Sequence, residues 1–319
     1  MPKNTQYTLL YIFLCCFTGN FLNAQENFSL NDYQKIYQGK EAWIGNNDVL
    51  EDFFTHINYD EQPQKGQKIY FRIPVKIWVH TNDDESVTDI HEEVIQQLKA
   101  LNNYHELNQT GFTFYLLEQP EIVIEEKNAK TGYYLEGPLY SMANKETDAI
   151  NIHLIEKLVK PKLFGPDKTV RATYNSITNA IFLTRKGAKT TLTHEIGHFF
   201  GLLHTHENSG KGKCKQEPVS RNRKFEGCLN NGIMSESTGD NLRDTPADPG
   251  LKAYTTEECN LLIAQYDEWG DRYTPLADNL MSYTRNLDCR TSFTRMQKAV
   301  MLYSAFEMQI PEWIHQSDK

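Results

Sequence analysis

The stretch His194-Glu195-Ile196-Gly197-His198-Phe199-Phe200-Gly201-Leu202-Leu203-His204 decides how this chain is read. On a helix at 100° per residue, His194 and His198 lie about one turn apart on one face, so their ring nitrogens can meet a single cation. Glu195 adjoins the first imidazole, too far round to coordinate but close enough to reach a water on that cation. Gly201 lets the chain leave the helix in a left-handed conformation that other residues resist. The turn brings His204 back as a third ligand and leaves a fourth position open. Three imidazoles with an open position suit a catalytic zinc, because closed structural sites take four protein ligands. Leu192, Ile196, Phe199 and Leu203 fall near one angular position with Phe200 at its edge, while His194 and His198 point the other way. The pattern predicts a core helix whose opposite side carries a metal and faces a cleft.

Before this helix the texture is that of an α/β half. Residues 70–80 are β-rich and alternate, and 113–117, 122–125, 149–155 and 181–184 read as further strands. Residues 87–107 carry helical periodicity, with Ile90, Val94, Leu98 and Leu101 on one side. After His204 the chain turns loop-rich over 208–250, and one more helix is predicted over 294–306. The expected fold class is α/β (α+β): a twisted mixed sheet with helices above a cleft, and a loop-rich, disulfide-bonded lower subdomain.

The chain has 319 residues and a formal net charge of −9, which argues against nucleic acid and anionic membranes as partners. Lys3 followed by the short apolar stretch 9–17 reads as a signal peptide over residues 1–24, cut after Ala24. Residues 25–66 read as a propeptide or N-terminal extension, and 67–319 as the catalytic domain. No later segment reaches a membrane-spanning length, so export to the extracellular space is expected. Of the six cysteines, Cys15 and Cys16 fall in the signal. The four that follow the histidine motif read as two disulfides in an exported chain. Three pairings are open, of which Cys214–Cys228 and Cys259–Cys289 is preferred.

Further down stand Asp244-Thr245-Pro246, Asn279-Leu280-Met281-Ser282-Tyr283, Cys289, and Phe293-Thr294-Arg295-Met296-Gln297. With HExxHxxGxxH before them, these blocks resemble, in content and order, the pappalysin family of metzincin zinc metalloproteases, the ulilysin-like type. The likeness runs from about residue 73 to residue 306. It implies that Met281 lies beneath the three imidazoles as a hydrophobic floor and that Tyr283 stabilises an oxyanion near the metal. It implies calcium near the DTP element, with Asp240 and Thr245 as candidate ligands, and a substrate-pairing strand edge near residues 170–175. Two positions depart from the pattern: His206 replaces an aromatic and is read as a cleft-rim residue, and Ser282 replaces an aspartate. The family's cysteine lock on the zinc is missing, since no cysteine lies between Cys16 and Cys214.

The expected function is a secreted zinc-dependent endopeptidase acting on protein or peptide substrates. His194, His198 and His204 would hold the metal, Glu195 would be the general base, and Tyr283 would be the oxyanion donor. The alternatives are a non-catalytic zinc-containing peptide-binding protein and a metal-dependent hydrolase of non-peptide bonds. Cleavage preference and oligomeric state carry no sequence signal.

Overall fold

Strand β1, Ile69–Thr81, is the axis on which the sheet is built. The computed structural model describes residues 48, 51, 69–81, 87–124, 133–134, 145–155, 157–160, 168–185, 190–207, 209, 217–220, 239–308, 310 and 313–316. The expected signal peptide, all of the expected extension except Asp48 and Glu51, and Cys214 and Cys228 lie outside these residues. Along one side β1 pairs in parallel with β2 (Phe112–Leu116) and β3 (Glu121–Ile124). Along the other it pairs in parallel with β5 (Ile150–Ile155), which is followed by parallel β9 (Ala180–Thr184) and antiparallel β8 (Ala172–Asn175) at the edge. A last strand, β10 (Ile314–Gln316), runs antiparallel to the start of β1. A second, small sheet joins β4 (Tyr133–Tyr134), β6 (Leu158–Lys160) and β7 (Lys168–Val170).

Parallel strands covered on both faces need apolar or paired residues at successive positions, and β1 is buried from Ile73 to His80. Phe71 meets Phe112 and Phe306 edge-on, at 5.3 and 5.2 Å between ring centroids. Helix α1 spans Val87–Leu107, the predicted segment. It is fixed to the sheet by Asn102, whose side chain both donates to the Phe114 carbonyl (2.8 Å) and accepts from the Phe114 N–H (2.7 Å). Helix α2, Thr191–Phe199, packs against α1, β8 and β9. Helix α3, Arg295–Glu307, begins in a capping box between Thr294 and Gln297. No helix among the described residues is long and apolar enough to cross a membrane.

Two core histidines have a consequence for stability. His105, among Phe112, Phe114 and Phe293, is held neutral by burial, which pushes its pKa down to about 3. His153 lies stacked on Phe182 and is pushed down to about 3 by burial first and the neighbouring His80 second. Their ordinary value is near 6.5, so between pH 6.5 and 3 the unfolded chain binds more protons than the folded one. Stability is therefore lost as pH falls through that window, by up to ~1.4 kcal/mol per pH unit for each ring. The urea midpoint should drop between pH 7 and 5, less steeply in His105→Phe. A midpoint level across that range would contradict neutral burial of these rings.

Candidate metal centre

Helix α2 delivers the first two imidazoles and ends where the glycine permits. Gly201 adopts φ +88°, its N–H donates to the His198 carbonyl (3.0 Å), and the Leu202 N–H donates to the Gly197 carbonyl (2.9 Å). The helix stops at Phe199, so Leu203 is not part of its buried stripe. Leu203 is only half-buried, and Phe200 and Leu202 are buried instead. The turn carries His204 back, and the coordinating atoms of His194, His198 and His204 all lie within 4.8 Å of one another. His198 Nε2 is 3.1 Å from His194 Nε2 and 3.0 Å from His204 Nε2.

Protons decide what these contacts are. His194 Nδ1 lies 2.7 Å from the Leu280 carbonyl, and His198 Nδ1 lies 2.7 Å from the Leu202 carbonyl. A carbonyl only accepts, so each Nδ1 carries the hydrogen and each Nε2 presents a lone pair. His204 Nδ1 meets a carboxylate oxygen of Glu207 at 3.0 Å, with the same result. Burial, the first cause in each case, pushes His194 well below its ordinary value and His198 and His204 down to about 4, so the rings are neutral. Three lone pairs thus meet with no hydrogen between them. They cannot satisfy one another, whereas a divalent cation with nitrogen preference satisfies all three. The donor set fits zinc.

Glu195 is buried beside the imidazoles, and its carboxylate accepts from the Tyr174 N–H at 2.7 Å. Burial pushes its pKa up to about 7, against the Tyr174 hydrogen bond and the positive Arg290, which pull it down. Tyr174 is on edge strand β8, so its N–H points away from β9 into a cleft of about 330 Å³ lined by Ala172, Tyr174, Glu195, His198, His204 and Tyr283. The Tyr283 ring stands 4.5 Å from His204 and 4.8 Å from His206, centroid to centroid. Burial raises its phenol above the ordinary value, so it keeps its hydrogen at neutral pH. His206 stacks on His204 at 5.2 Å but is not one of the grouped imidazoles.

The loop bearing Met281 clamps both ligand segments. The Leu280 carbonyl holds His194, and the Met281 carbonyl accepts from the N–H of Thr205, next to His204 (3.3 Å). The Met281 side chain is fully buried against Gly197, where a Cβ would lie 2.6 Å from Met281 Sδ. The loop is in turn held by Asn279, which accepts from the Met281 N–H (2.8 Å) and donates to Gln297 of the α3 capping box (2.8 Å).

Asp240 and Thr245 lie together. Both are buried, and burial pushes the Asp240 carboxyl up to about 7, against hydrogen bonds that include the Thr245 hydroxyl. Among the described residues the three imidazoles are the only cluster of three His, Cys, Asp or Glu side chains, so Asp240 belongs to no such cluster. Cys259 and Cys289 are joined as a disulfide.

Sequence reasoning missed Arg290, Asp248 and Glu207. Arg290 is buried behind His194, donating to the Thr190 hydroxyl (3.0 Å) and the Leu287 carbonyl (3.3 Å); its Nη1 also lies 3.2 Å from His194 Nδ1, but the shorter 2.7 Å contact to the Leu280 carbonyl claims the Nδ1 hydrogen. Asp248 accepts from the Thr205 hydroxyl at 2.6 Å and lies 3.4 Å from the Ser282 hydroxyl, beneath the turn that follows His204.

Residues 160–304 match the peptidase family model described as pregnancy-associated plasma protein-A. In fold the chain is similar to mature mirolysin of Tannerella forsythia in complex with a cleaved peptide. That likeness has 17% identity and a TM-score of 0.52, over 76% of this chain and 98% of that one. Mirolysin in complex with compound 9 is similar at 17% identity and a TM-score of 0.49, over 75% of this chain and 93% of that one. No curated protein matches the sequence. The histidine cluster and the methionine loop beneath it fall within the span, residues 160–304, that is similar to the pappalysin family of metzincin peptidases.

Proposed function

We propose that this chain is a secreted zinc-dependent endopeptidase. One observation carries the reading: three unprotonated Nε2 atoms, that of His198 3.1 Å from His194 and 3.0 Å from His204, meet beside the buried carboxylate of Glu195. Zinc held by His194, His198 and His204 would supply Lewis acidity to a water and to the scissile carbonyl. With one oxygen of Glu195 tied to the Tyr174 N–H, the other is free to take the proton of the attacking water and hand it to the leaving amine. The Tyr283 phenol donates to the carbonyl oxygen as it becomes negative. An extended substrate pairs with the open edge of β8, where Ala172 shares the outward parity of Tyr174.

Calcium belongs to the same proposal. Asp240 and Thr245 set a carboxylate and a hydroxyl side by side, the oxygen donors that calcium takes. Secretion accords with the Lys3 and apolar 9–17 pattern and with a disulfide between Cys259 and Cys289.

The test is cleavage of an unfolded protein and a mixed peptide library by the purified chain. Cleavage should stop with 1,10-phenanthroline and return when zinc is restored. Cleavage that continues after metal removal would dismiss the zinc mechanism. One equivalent of bound zinc with intact peptides would favour a peptide-binding protein instead.

A further inference from the structure

The three imidazoles are not secured alike. His194 and His198 lie on α2 and give their Nδ1 hydrogens to main-chain carbonyls, Leu280 and Leu202, which no substitution removes. His204 lies beyond the helix and gives its Nδ1 hydrogen to a side chain, the Glu207 carboxylate, at 3.0 Å. The backbone makes this possible, because the Glu207 N–H donates to the His204 carbonyl at 2.9 Å. That turn folds the carboxylate under the imidazole three residues earlier. His206 stacks on the His204 ring and Tyr283 meets it edge-on, so both touch it as rings.

We propose that Glu207 is a positioning residue that orients His204 and sets how tightly the site holds its metal. The inference rests on the zinc reading above. The carboxylate does three things to the ring. It keeps the hydrogen on Nδ1, so that Nε2 keeps its lone pair. It fixes the ring rotation that aims Nε2 at the other two. Its negative charge raises the donor strength of Nε2. The Glu207 side chain is 38% exposed and the ring it meets is neutral, so this single contact adds little to folding. Its effect belongs to the loaded site.

The experiment is zinc affinity, measured by competition with a chromophoric chelator, together with the melting temperature of the metal-free protein. Glu207→Ala should weaken zinc binding ~10–100-fold, the range found for outer-shell partners of metal-bound histidines. Glu207→Gln keeps an acceptor but no charge and should lose less. The metal-free melting temperature should stay where it was, which separates an effect on the metal from an effect on folding. Glu207→Ala binding zinc as tightly as the parent would overturn the inference and leave the zinc reading standing. A parent chain with no tight zinc site would overturn both.

Discussion

Glu195→Ala is expected to keep the fold and bind zinc in full while losing peptide hydrolysis by ~10²–10⁴-fold in kcat/KM, the usual contribution of a positioned general base. The physical basis is that Glu195 is not a ligand: it touches the Tyr174 N–H and faces the cleft, so its removal leaves the three imidazoles in place. Its carboxylate is almost fully buried, and burial already disfavours the charged form, so truncation should not lower the melting temperature greatly. Glu195→Gln separates geometry from chemistry. The amide oxygen can still accept from Tyr174, but it cannot take a proton from water. Both variants should therefore be inactive with normal zinc content. Hydrolysis at the parent rate by either would dismiss the general-base role.

The second large effect is steric and lies under the helix. Gly197→Val puts a Cβ 2.6 Å from Met281 Sδ and 3.3 Å from Leu202 Cδ1, with branches beyond. A β-branched residue costs little more than a few tenths of a kcal/mol of helix propensity against alanine, and glycine is worse than either, so propensity alone predicts a gain. Packing decides the sign the other way. Met281 is fully buried, and its loop is tied to Asn279 and Gln297, so the thioether has no way out to solvent. Overpacking of this kind costs ~1–3 kcal/mol, which should appear as a melting temperature lower by several degrees. The loop also carries the Leu280 carbonyl, so zinc affinity should fall as well. In Gly197→Val/Met281→Ala the clash is relieved, and the double variant should be less destabilised than the sum of the two changes. Full additivity would mean that the two side chains do not compete for the same space.

How much of this was legible depends on which atoms carry the information. The meeting of His194, His198 and His204 was readable because side-chain type and spacing together determine it. Helix α1 was readable end to end because its apolar period is long. Edge strand β8 was reached only by analogy: it has four half-buried residues and no apolar alternation to announce it. The strands β4, β6, β7 and β10 are two or three residues long and fell below any pattern. Leu203 was assigned to the helix stripe because periodicity does not register the break that Gly201 makes at φ +88°. The groups that orient the site were the least visible. The Tyr174 N–H and the Leu280, Leu202 and Met281 carbonyls belong to the main chain, and any residue at those positions would supply them. Arg290 lies 96 residues beyond His194, and nothing in its local sequence points back to the histidines.

The clamp beneath the imidazoles also sets an order of events in synthesis. The carbonyl that orients His194 lies 86 residues downstream of it, and its loop is braced by Gln297 at the start of α3. Chains are made from the N-terminus, and domains settle as their parts emerge. A nascent chain that has passed His204 but not Gln297 therefore carries His194, Glu195, His198 and His204 without the brace that aims them. The histidine cluster is thus braced by a helix that leaves the ribosome after all three imidazoles, so a chain cut short of Gln297 holds the cluster without its brace.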